Sequence, residues 1–170
     1  TCLFFGAIPF LGRVGRPRGD ALPACSLAAP APLPARAFKL ISDRDIRKLG
    51  AASGDSGLTN TQLVSTAWVS VSTYLGTDMR GGANGARIRL APQNQWVINN
   101  PDALGEVIAV LEEVQDEFNS GLSRGKQVSL ADVIVLAGNV GVEQAAEEFG
   151  VEVSIPFTPG RVDAIEGSVD

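Results

Sequence analysis

The chain has 170 residues, 45% of them hydrophobic and 19% charged, with a formal net charge of −5. That length suits one ordinary domain with a normal buried core. No apolar run reaches the roughly 18 residues a membrane-spanning helix needs, and the negative balance argues against partners such as nucleic acid or anionic lipid. The chain contains no histidine, so no His-dependent triad, His-ligated zinc or His-ligated haem is built from it alone.

The composition breaks near Phe38. Residues 1–38 hold six of the ten prolines, both cysteines (Cys2 and Cys25), four arginines and a single acid, Asp20, whereas residues 39–170 carry 10 basic and 18 acidic residues. Two cysteines do not make a disulfide scaffold. An apolar start precedes Arg13, Arg16 and Arg18, the reverse of the order in a secretory signal, and the run from Ala28 to Ala35 alternates alanine with proline. Such a segment buries little and is expected to be disordered, or unrelated to the domain that follows.

From Leu40 onward the pattern is helical. Ser42 with Asp45 predicts an N-cap for a short helix through Leu49, ended by Gly50. Leu63, Ala67, Trp68, Val71 and Tyr74 recur at helical spacing, with Thr59 or Asn60 as cap and Gly76 as stop. Residues 76–98 form a long loop rich in glycine. Asn99-Asn100-Pro101 opens the clearest helix, with Leu104, Val107, Ile108, Leu111, Val114 and Phe118 as one apolar stripe and Gly121 as its end. Ser129 with Asp132 predicts the start of a nearly all-apolar helix over Leu130 to Ala137, the expected centre of the core. Beyond Gly138, Val142, Ala145, Ala146 and Phe149 mark one more helix closed by Gly150. Val151 to Pro156 alternates like a short strand. The reading is all-α.

Residue chemistry points to no enzyme. The run from Arg80 to Gly85 lacks the Gly-Lys-Ser/Thr end of a phosphate-binding loop and reads as a structural turn. Glu112, Glu113, Asp116 and Glu117 read as the solvated face of a helix, Arg87 and Arg89 as ion-pairing groups, Asp132 as a capping carboxylate, and Trp68 and Trp96 as core. No serine or threonine has a histidine to activate it.

Several long motifs resemble one family. Leu63-Val64-Ser65-Thr66-Ala67-Trp68, the stretch from Arg80 through Pro92, Gln95-Trp96, Asn99-Asn100-Pro101, the stretch from Val128 through Gly138, and Pro156-Phe157-Thr158-Pro159-Gly160-Arg161 are similar, in order and spacing, to a catalase-peroxidase. The resemblance covers residues 40–166 and leaves out residues 1–38. It implies a haem-peroxidase-like helical domain, incomplete and corresponding to an N-terminal half, over residues 39–170. It also implies a family that decomposes hydrogen peroxide with haem b and carries two such domains per subunit, the second haem-free. The active copy has a distal Arg-x-x-Trp-His on its second helix. Here Ser65 stands at the arginine position, Trp68 is kept, Val69 replaces the histidine, and Asn99 matches the asparagine that orients the distal imidazole. The proximal histidine would lie beyond residue 170. The resemblance therefore implies a haem-free, non-catalytic C-terminal portion with no catalytic, cofactor-binding or metal-ligating residue of its own. Its expected partners are the haem-bearing N-terminal domain and a second subunit, with no nucleic acid or membrane, in the cytoplasm. The alternative is a stand-alone truncated gene product without activity.

Overall fold

The computed structural model describes residues 35–74, 76–77, 81–123 and 125–165; the readings made for Cys2, Cys25 and the rest of residues 1–34 lie outside them. Among the described residues the secondary structure is helical, with two isolated β-bridges and no strand. Four helices run in chain order: α1 (Asp43–Gly54), α2 (Asn60–Ser72), α3 (Pro101–Ser120) and α4 (Leu130–Glu148). The expected all-α architecture is what the chain adopts.

The caps follow from side-chain chemistry. At α1 the Asp45 carboxylate accepts from the Ser42 N–H (3.0 Å) and the Ser42 hydroxyl (2.7 Å). At α2 Thr59, not Asn60, is the cap: its hydroxyl accepts from the Gln62 N–H at 3.2 Å, and the Gln62 side chain returns the bond to the Thr59 N–H. These reciprocal pairs satisfy donors that the first helical turn leaves open. Pro101 begins α3 as its fixed φ favours, while Asn100 turns through the left-handed region (φ 49°) with no side-chain cap bond.

Helix α4 is the centre. Every residue from Leu130 to Asn139 is buried, and the helix packs on α1, α2 and α3. Leu49 of α1, Leu63 and Ala67 of α2, and Leu104, Val107 and Leu111 of α3 close around it. Two expected helix boundaries are corrected here. The helix runs unbroken through Gly138 and Gly141, and α1 runs past Gly50 to Gly54. In each case the glycine is a contact, not a stop. A Cβ on Gly138 would overlap the Ala67 Cβ, one on Gly141 would lie 3.1 Å from the Leu63 Cβ, and one on Gly50 would lie 3.5 Å from Val140. Missing side chains bring α2 close to α4 and let α1 lie against α4.

The expected strand after Val151 does not form. Residues 151–165 run as an irregular strap whose N–H groups are taken by side chains, and Pro156 and Pro159 supply no donors. The Ile155 N–H donates to the Glu143 carboxylate (2.6 Å), and the Gly160 N–H to the Asp132 carboxylate (2.7 Å). Asp132 is buried and ion-paired with Arg161 at 2.8 Å, so it fastens the strap as well as sitting in the first turn of α4. Capping of that turn is shared. The Ser129 hydroxyl accepts from the Asp132 N–H at 3.1 Å, and the Asp163 carboxylate accepts from the Leu130 and Ala131 N–H groups at 2.8 and 2.9 Å.

Asp45 also pairs with Lys126 at 2.7 Å. The Lys126 ammonium, with the Ser42 donors, holds its carboxyl well below the usual aspartate range. A folded value below the unfolded one, about 3.9, contributes stability that is present above that unfolded value and fades as pH falls through the folded one. Asp45→Asn should therefore cost about 1 kcal/mol at pH 7, the size of a lost cap. The gap should narrow in urea melts at pH 3, and an equal gap at both pH values would refute the linkage.

Candidate functional site

The long loop after α2 folds as short 3-10 turns at Arg87–Arg89, Gln93–Gln95 and Val97–Asn99. Gly81, Gly82 and Gly85 all take positive φ, which agrees with the structural-turn reading; Arg80 lies outside the described residues. A side chain on Gly81 would collide with the Thr73 carbonyl, and the Gly82 N–H donates to the Thr73 hydroxyl at 3.1 Å. The loop is thereby folded back on the end of α2.

This return builds an open cleft of about 1090 Å³ between α2, the last turns of the loop and the start of α3. Ser65, Trp68, Val69 and Asn99, the four positions singled out in the sequence, all line it. Ser65, Trp68 and Val69 stand on α2 beside Ala67, which is buried against α4; the helical turn thus divides core from cleft. Two expectations are corrected. Trp68 is 51% exposed and Trp96 39% exposed, so both indoles form cleft wall, not core. Sequence reading did not single out Gln93, which is buried in the cleft floor; no spacing rule marks it.

The cleft's chemistry is neutral. None of the described residues lining it is charged. The Asn99 amide donates to the Gln93 backbone carbonyl at 2.7 Å, which ties that side chain to its own loop. The other candidate groups lie elsewhere. Arg87 is buried and donates to the Asn84 carbonyl at 2.7 Å, and Arg89 donates to the Ala164 carbonyl. Glu112, Glu113, Asp116 and Glu117 are exposed on α3, and among the described residues no group of three or more His, Cys, Asp or Glu could hold a metal. A second cleft, of about 530 Å³, lies between α1, α4 and the strap and gathers none of the four positions.

A family model described as Peroxidase matches residues 43–170, the whole of the helical unit just described. The chain belongs to the peroxidase family. Among named relatives it is similar to the catalase-peroxidase of Hahella chejuensis, 54% identical over 160 residues, and to those of Bradyrhizobium sp. strain ORS 278 (52%) and Marinomonas sp. strain MWYL1 (54%). Each match covers 94% of this chain but only 22% of the relative, so the chain spans about a fifth of the length of these proteins. The matches are longer than residues 43–170, and so reach into the segment before Phe38 where sequence reading found no likeness. Among the described residues no helix is long and apolar enough to cross a membrane.

The cleft does not fit a ligated haem. Its described lining offers no imidazole or thiolate as an axial donor and no guanidinium beside it, and the chain has no histidine to bring there.

Proposed function

We propose that this chain is a non-catalytic portion of a catalase-peroxidase, corresponding to the first half of the haem-free C-terminal domain. On this reading the parent is a cytoplasmic enzyme that decomposes hydrogen peroxide with haem held in its other domain. The present portion supports that haem-bearing domain and the contact with a second subunit. The observation that carries the reading is the pair Ser65 and Val69 on the cleft face of α2, one on each side of Trp68.

The argument is chemical. Splitting a peroxide bond requires a group that moves a proton between the two oxygens and a positive charge that stabilises the departing one. Valine moves no proton, and a serine hydroxyl is no fixed cation. With the Asn99 amide bound to the Gln93 carbonyl, no ionisable group faces the cleft from the described residues. Each missing function is worth about two or more orders of magnitude in rate, so the two losses together leave no useful turnover.

A haem titration followed by Soret absorbance, with peroxide turnover on the same sample, tests the proposal. The expected result is no stoichiometric band and no peroxide loss above the free-haem rate. Ser65→Arg with Val69→His should restore neither. A stoichiometric band with turnover from the unaltered chain would overturn the reading.

A further inference from the structure

The α2 cleft has an unusual border for a water-facing surface. Val97 is 91% and Ile98 85% exposed, and they sit beside the half-open indoles of Trp68 and Trp96. A contiguous apolar area of this kind, with no charge in its lining, marks an interaction surface. The neutral wall also excludes the occupants that need charge, since neither an anion nor a cation finds a partner there. What fits is another uncharged, apolar stretch of protein. The relatives supply the length for it, because 78% of such a protein lies outside the matched part.

Resting on the half-domain reading above, we infer that this cleft is a packing seam, filled directly by the part of the parent chain that follows Asp170. The occupant lays apolar side chains on Trp68, Val69, Trp96 and Ile98, leaving no room for a cofactor. The substitution pattern agrees. Ser65 and Val69 are groups that a protein interior accepts without a partner charge, whereas an arginine and a histidine in a filled seam would each need one. Asn99 agrees as well, its amide being satisfied within its own loop before anything docks.

The chain has two tryptophans, and both stand in this wall, so intrinsic fluorescence reports on the seam alone. The test extends the 170-residue chain at its C-terminus with the segment that follows the matched region in the Hahella chejuensis catalase-peroxidase. Emission should shift to the blue and acrylamide quenching should fall severalfold against the unextended chain. Ile98→Asp, at a position open to water here, should leave the unextended chain's stability unchanged and reverse the protection in the extended one. Undiminished quenching in an extended chain that is folded by circular dichroism would overturn the inference. So would concentration-dependent shielding in the unextended chain, which would make the occupant a second copy. The unextended chain gives an independent reading through anilinonaphthalene sulfonate, a probe of open apolar surface. Val97→Asp with Ile98→Asp should cut its binding by more than half, and unchanged binding would also overturn the seam. Shielding by the corresponding segment of the relative's other peroxidase domain, in place of the C-terminal one, would instead overturn the half-domain placement and leave the packing face standing.

Discussion

Val135→Asp is expected to cost about 3–5 kcal/mol, enough to unfold a domain of ordinary stability. Val135 is 1% exposed in the middle of α4, the helix that every other helix packs against. A carboxylate there has neither water nor a cation, and burial without a partner is among the few changes that reach this size. It would stay protonated through the neutral range or force the helix open. Urea denaturation at pH 7 gives the number. A loss below about 1 kcal/mol would place that face of α4 at the surface.

The second large effect runs against helix propensity. Glycine to alanine in a helix ordinarily gains about 1 kcal/mol, and Gly105→Ala in α3, exposed and with open space around it, should show that gain. Gly138→Ala should do the opposite, losing about 1–3 kcal/mol, because the new methyl would overlap the Ala67 side chain and push α2 from α4. One substitution type with two signs separates packing from propensity. If Gly138→Ala proved as stabilising as Gly105→Ala, the close crossing of α2 and α4 would be wrong.

Those glycines also show where sequence reading reaches its limit. A glycine after an apolar helical stripe signals an ending, because its backbone freedom suits a C-cap. Gly121 behaves that way, as the residue that caps α3. Gly50, Gly138 and Gly141 carry the same local signal and instead lie inside helices, where lack of a Cβ admits a neighbour. Nothing within a few residues distinguishes the two uses, since the deciding atom is on another helix. The caps were legible because Ser42 with Asp45, Thr59 with Gln62, and Ser129 with Asp132 are each complete within four residues. Trp68 was misread for a related reason. Bulk and hydrophobicity predict burial, yet burial depends on which side of α2 the core lies, and Ala67 rather than Trp68 faces α4. The four cleft positions were legible from their likeness to a known pattern. Gln93, bonded to Asn99 through its main chain, and Asp163, bonded to residues more than 30 positions earlier, left no such mark.

The cap on α4 has a consequence for how the chain comes into being. The first two N–H groups of the central helix are received by Asp163, and Asp132 is matched by Arg161, so the innermost element is completed by residues made after it. On a ribosome, α1, α2, α3 and the whole of α4 emerge while that first turn still lacks its acceptor and a buried aspartate still lacks its cation. The native core therefore closes only once residues 160–164 have cleared the exit tunnel, and chains halted between Phe149 and Pro159 carry all four helices but an open turn at their centre.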